Sequence, residues 1–151
     1  MQSLWDFALE YYARPKVADT CVVVQDTYGV NVCLLLALCW LDERNLALDE
    51  QYLEALQVHI GAWTNDVIKP LRYLRRLTKT PIASLIQDDL QTQIRTHIKQ
   101  AELLAEKKLL QEIERWLSRF PLVATESPAN AKAYLTKLGV AATALDLLQH
   151  V

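Results

Sequence analysis

The sequence predicts a single all-α domain over residues 1–151, a multi-helix bundle of six to eight helices around one central apolar helix. Three observations point there. From Val32 to Leu41 ten residues, VCLLLALCWL, follow one another without a polar side chain. The chain has only three glycines, too few for the many turns of an all-β fold. Leu, Ala, Gln, Glu and Lys are plentiful, and all favour helix. A hydrophobic fraction of 52% argues against extensive disorder, and 151 residues suffice for one real core.

The apolar run sets the architecture. A transmembrane helix needs about 20 apolar residues, so this run is too short to span a bilayer. A surface helix would keep a polar face. The remaining solution is a helix enclosed on all sides, with Asn31 as its N-cap and Gly29 closing the helix before it.

The other elements follow in order. Ser3 is placed to cap a helix over about Leu4–Ala13, with Asp6 three residues on. Leu4, Phe7, Ala8 and Tyr11 share one face of it, and Trp5, Leu9 and Tyr12 form a second apolar row, which predicts a sandwiched helix. Arg14-Pro15 breaks the chain, and Pro15 opens the first turn of a second helix near Lys16–Thr27. Val17, Cys21, Val24 and Tyr28 form its core stripe. Asp49 caps a helix whose apolar positions, from Leu53 to Leu77, recur every three or four residues across Gly61 and Pro70. That pattern predicts a break or kink near Trp63–Pro70, with Thr64 as a candidate cap. A linker at Thr78–Ser84 leads to a long helix over about Leu85–Phe120. Its stripe runs Ile86, Leu90, Ile94, Ile98, Ala101, Ala105, Leu109, Ile113 and Trp116. Ser127-Pro128 reads as cap and first position of a helix that ends at Gly139, and a short helix over about Ala141–Gln149 closes the chain.

Several function classes lack their signatures. His59, His97 and His150 are far apart and belong to no zinc-binding spacing. Asp88-Asp89 suits a helix start better than a metal site. No P-loop, G-x-S-x-G elbow or dinucleotide fingerprint occurs, so no cofactor and no catalytic residue is expected. Cys21, Cys33 and Cys39 lie in apolar surroundings without a nearby His, as buried thiols do. The N-terminus lacks the basic and apolar regions of a signal peptide, which predicts a cytoplasmic protein. A net charge of −2 argues against a dedicated nucleic-acid binder without excluding a local basic patch.

One such patch stands out. Lys69, Arg72, Arg75, Arg76 and Lys79 fall within an arc of about 120° on one helix, uninterrupted by Asp or Glu. Leu71, Leu74 and Leu77 take the opposite arc and are expected to anchor the helix to the core. Aligned cations repel unless an anion is near. The partner could be an anionic macromolecule or an acidic protein surface, with an anionic membrane as a third class. The bland reading is a solvated face paired with Asp42-Glu43 or Asp88-Asp89. A second constellation is the turn Gln25–Asn31. An acid such as Asp26 beside a core needs a cation, for which an arginine of 72–76 is the candidate. A small polar pocket of Asp26, Tyr28, Trp63 and Arg72 would then serve a small-ligand binder or enzyme. Leu103, Leu104, Leu110 and Leu117 on the long helix, if left uncovered, would favour a homodimer. The leading expectation is a non-enzymatic interaction module that binds its partner through the basic stripe.

The first half also carries a resemblance. It reads Trp5-x-Phe7-Ala8-Leu9, then Arg14-Pro15-x-Val17-Ala18, then Gln25-Asp26-x-x-Gly29-x-Asn31-Val32 and Trp40-Leu41. Further on comes Trp63-x-x-x-Val67-x-x-Pro70-Leu71-Arg72-x-Leu74-Arg75-Arg76. Over residues 4 to 80 this resembles a family of small uncharacterised, conserved hypothetical all-helical proteins of Gram-negative bacteria. The resemblance implies a bacterial, cytosolic origin and adds no mechanism.

Overall fold

The computed structural model describes residues 2–149; His150 lies outside the described residues. Its helices are α1 (Leu4–Tyr12), α2 (Val17–Tyr28), α3 (Val32–Glu43), α4 (Glu50–Trp63), α5 (Lys69–Leu77), α6 (Asp89–Leu117), α7 (Asn130–Lys137) and α8 (Ala142–Gln149). A π-helical stretch, Thr64–Ile68, joins α4 to α5, so these two run as one and the described chain has seven helices. The all-α class holds. The chain gathers into two compact units, one of residues 1–53 and 110–151, the other Glu54–Leu109.

The first unit is built on α3. Asn31 caps it, its side chain accepting from the Leu34 N–H at 3.2 Å, and every residue from Cys33 to Leu41 is buried. Helices α1 and α7 pack against α3, and α2 packs against α1 and α8. Ser3 caps α1, its Oγ accepting from the Asp6 N–H at 3.1 Å. The first apolar row of α1 is buried, but Leu9 and Tyr12 of the second are exposed, so α1 is covered on one side only. Pro15 does not open α2. It sits in a turn closed by the Val17 N–H on the Arg14 carbonyl, with Lys16 at φ 67°, the third-residue geometry of a type II turn.

Two further corrections concern ends and connections. A two-residue antiparallel pairing, β1 (Leu46–Ala47) with β2 (Val123–Ala124), follows α3 and was not foreseen in so helical a chain. Helix α7 starts at Asn130, not at Pro128 with Ser127 as its cap. Its capping oxygens come from Asp42, at the end of α3. Asp42 Oδ1 accepts from the Asn130 N–H at 2.9 Å and side-chain amide at 2.8 Å, and Oδ2 accepts from the Ala131 N–H at 3.1 Å. A local Ser-Pro signal loses here to a carboxylate brought in by the tertiary fold. Gly139, at φ 77°, ends α7 as expected, with the Val140 N–H on the Leu135 carbonyl at 3.1 Å.

The second unit is a helical hairpin. Contacts pair Arg75 with Glu102, Arg75 with Arg95, Trp63 with Ala105 and Thr78 with Gln91, so position falls on one arm as it rises on the other. The arms are therefore antiparallel. The expected break near Pro70 takes the form of the π turn. Pro70 has no N–H to give, and its ring crowds the carbonyl four residues back. The chain widens one turn before it, the Lys69 N–H bonding to the Thr64 carbonyl five residues away. Thr64 does not act as an N-cap; its hydroxyl donates to the Ile60 carbonyl at 3.0 Å.

Candidate functional site

Helix α5 is the most strongly two-sided helix of the chain, and it faces opposite to expectation. None of its residues is buried. Leu74 and Leu77 are 40% and 39% exposed and Tyr73 63%, and of the expected anchors only Leu71 is half-buried, so most of the apolar arc stays in water. Arg72 and Arg75 are the residues turned toward α6, with side chains only 18% and 28% exposed.

Their counter-charges are Glu102 and Glu106, not the acid pairs at 42–43 or 88–89. Arg75 forks onto Glu102, with Nε donating to Oε2 at 2.5 Å and Nη2 to Oε1 at 3.3 Å. Arg72 Nε lies 3.7 Å from Glu102 Oε1, and its Nη2 lies 3.9 Å from Glu106. Arg95 donates to the Arg75 carbonyl at 3.3 Å. Glu102 is buried, and the two guanidiniums supply the charge and donors that a buried carboxylate requires. Burial, then the neighbouring Glu102 charge, push the Glu106 carboxyl above its ordinary value against the opposing pull of Arg72 and Arg75. Asp42 and Asp88 serve as caps elsewhere, Asp88 Oδ1 accepting from the Gln91 N–H at 3.0 Å, while Glu43 pairs with Arg14.

The five-cation stripe is thus divided. Arg72 and Arg75 hold the hairpin together, and Lys69, Arg76 and Lys79 are exposed. Trp63 is a second clamp. Its Nε1–H donates to the Ala105 carbonyl at 3.0 Å, and Lys108 Nζ sits 5.4 Å from its ring centre. Asp26 lies on the exposed side of α2 and Tyr28 is half-buried, both in the first unit, whereas Trp63 and Arg72 belong to the second. A buried acid requires a cation to offset the cost of leaving water. An exposed Asp26 carries no such cost.

Residues 78–88 close the hairpin. Gln91 Nε2 donates to the carbonyls of Thr78 and Thr80, and Gln87 Nε2 to that of Lys79. Beside this loop opens a groove of about 610 Å³, lined mainly by Ile82, Leu85, Ile86, Leu90 and Ile94 with Thr78 and Gln91. Its only ionisable lining group is Asp88, already committed to the helix cap, so the groove offers apolar contact rather than acid–base chemistry.

Burial pushes the thiols of Cys21 and Cys39 up to about 12, which keeps them protonated. The Tyr11 hydroxyl donates to the Leu148 carbonyl, and burial raises its pKa. No group of three or more His, Cys, Asp or Glu that could hold a metal occurs among the described residues. No described helix is long and apolar enough to cross a membrane.

Fold and surface together define a helical protein whose hairpin exposes Tyr73, Leu74 and Leu77 together with Lys69, Arg76 and Lys79. The chain belongs to the family described as Protein of unknown function (DUF2390), whose model matches residues 3–113. That match takes in the whole hairpin. No curated protein and no solved structure matches the chain.

Proposed function

We propose that the protein is a non-enzymatic interaction module that binds an anionic partner through the exposed edge of α5. One observation carries this reading. Lys69, Arg76 and Lys79 are exposed beside the exposed Tyr73, Leu74 and Leu77, while the fold uses Arg72 and Arg75 internally. Charge distribution favours the same conclusion. Residues 54–109 hold nine Lys and Arg against six Asp and Glu, a net +3, whereas the remaining residues hold seven against twelve, a net −5. A partner with acidic residues around an apolar patch answers both features of α5, and a bare phosphate chain would leave the leucines uncovered. The resemblance to proteins of Gram-negative bacteria supports the cytoplasm of such a cell as the setting.

The test is photocrosslinking in the native cell with p-benzoylphenylalanine in place of Tyr73. A discrete adduct is expected, weakened by salt and lost in the Lys69→Glu/Arg76→Glu/Lys79→Glu variant. All three positions are exposed, so the variant should keep its helical circular dichroism. An adduct of unchanged yield in that variant overturns the reading.

Self-association through α6 is a second reading, favoured by a specific observation. Leu110 and Leu117 are buried within the first unit, but Leu103 and Leu104 are 51% and 67% exposed.

A further inference from the structure

Helix α6 carries two stripes over its first two-thirds. The stripe toward α5 is mostly polar: Gln91 and Arg95 donate to carbonyls of Thr78 and Arg75, and Glu102 takes the arginines. The second stripe is Leu90, Ile94, His97, Ala101, Leu104 and Lys108. Its spacings alternate four and three, the rhythm of a coiled-coil seam. Leu90, Ile94 and Leu104 are 65%, 55% and 67% exposed, His97 and Lys108 are exposed, and Ala101 is half-buried. The helix has turned its better packing seam to solvent.

We propose that this seam pairs with the same seam of a second copy, antiparallel about a two-fold axis. The inference rests on the self-association reading and deepens it by naming surface and register. Three features of the seam select a second copy. First, it is self-complementary when reversed: Leu90 meets Lys108 of the other copy, Ile94 meets Leu104, and His97 meets Ala101, a large side chain against a small one. Second, the charges are arranged the same way. Asp88 and Asp89 precede the seam and Lys107 and Lys108 end it, so reversal brings acids to bases at both ends. Lys108, whose ammonium sits 5.4 Å from the Trp63 ring centre of its own copy, can lay its aliphatic stem on Leu90 of the other and keep positive charge near that copy's acidic end. Third, antiparallel helices oppose their dipoles over a seam about 27 Å long. Asp88 and Asp89 beside Leu90 speak against an anionic bilayer as the occupant.

The test uses sedimentation equilibrium of the full chain and site-directed disulfides. The wild type should show a monomer–dimer equilibrium, and Ile94→Glu/Leu104→Glu should weaken it by about tenfold or more. Both positions are exposed, so the variant should retain its helix content. A chain with Ile94→Cys mixed with one carrying Leu104→Cys should form a disulfide-linked dimer, while either alone should not; the three native thiols are buried. A wild type that is monomeric at every concentration overturns both the seam and self-association. A dimer indifferent to the glutamates, or cysteines that link equally well alone, overturns the seam and leaves self-association standing. Capture of the chain by phosphatidylglycerol vesicles, lost in the glutamate variant, assigns the seam to a bilayer and overturns the proposal.

Discussion

In α3 every side chain from Cys33 to Leu41 is buried, whereas between Ile68 and Ala105 no apolar side chain is, among the described residues. Both stretches are rich in leucine, and both are helical apart from the loop 78–88 in the second. They differ in what surrounds them. Helix α3 is wrapped by α1 and α7 of its own unit, so its apolar surface leaves water on folding. The hairpin has two helices only, and Arg72, Arg75, Arg95 and Glu102 take up much of the surface between them. Two helices joined by polar contacts cannot bury a third, apolar face. The first unit therefore reads as scaffold, and the hairpin as the part left open to other molecules.

The largest expected effect separates the two directly. Leu38→Ala, at a fully buried position, should lower the unfolding free energy by about 2–5 kcal/mol in a urea titration. Leu90→Ala, at 65% exposure, should change it by less than about 0.5 kcal/mol under dilute conditions. Equal losses would erase the distinction between scaffold and open face.

Next comes the polar bracing of the hairpin. Glu102→Ala removes the carboxylate of Arg75, leaves Arg72 with Glu106 alone and should cost about 1.5–3 kcal/mol, seen as faster amide exchange along α5. Glu50→Ala, which removes an exposed pair with Lys137 in the first unit, should leave stability within error. A hairpin indifferent to the loss of Glu102 would mean that apolar contacts hold it after all.

A smaller effect is expected where Asp42 caps α7. Asp42→Ala should cost about 1 kcal/mol and release protection at the Asn130 and Ala131 amides first. Unchanged exchange there would show that α7 is held by its packing on α3 alone.

The smallest effect is in pH dependence. Burial raises the carboxyl pKa of Glu106 in the hairpin and of Asp42 in the first unit. In the interval above the ordinary carboxylate range the folded chain then binds more protons than the unfolded one. Each group's contribution is therefore present at low pH and is lost as pH rises through its folded pKa. Glu106→Gln should flatten that decline, measured as thermal midpoint against pH from 4 upward. A decline of unaltered slope would assign the pH dependence to Asp42 and the first unit.

Much of the fold was legible because its signals are local. Ser3 and Asn31 cap the helices that follow them, each by a bond to an amide three residues ahead. Gly29 and Gly139 end α2 and α7 at φ 70° and 77°, conformations that a side chain resists. A helix apolar all round has one stable environment, so α3 could be placed in the core from its composition. The candidate site was half legible. Periodicity put the five cations of 69–79 on one arc; the structure turns Arg72 and Arg75 toward Glu102 and leaves Lys69, Arg76 and Lys79 exposed. Periodicity says which side chains share a face, and leaves open which way that face turns.

That choice belongs to the tertiary structure. Glu102, far along the chain on α6, turned Arg72 and Arg75 inward and Tyr73, Leu74 and Leu77 outward, because a buried carboxylate must have its cations. Asp42 likewise moved the start of α7 from across 88 residues. The sequence by itself determined the helical class, the caps of α1 and α3 and the buried axis, since each depends on neighbours within about one turn or on the affinity of a whole segment for water. Only the tertiary structure decided which apolar surface stays in water, because that depends on which distant residues arrive to cover it.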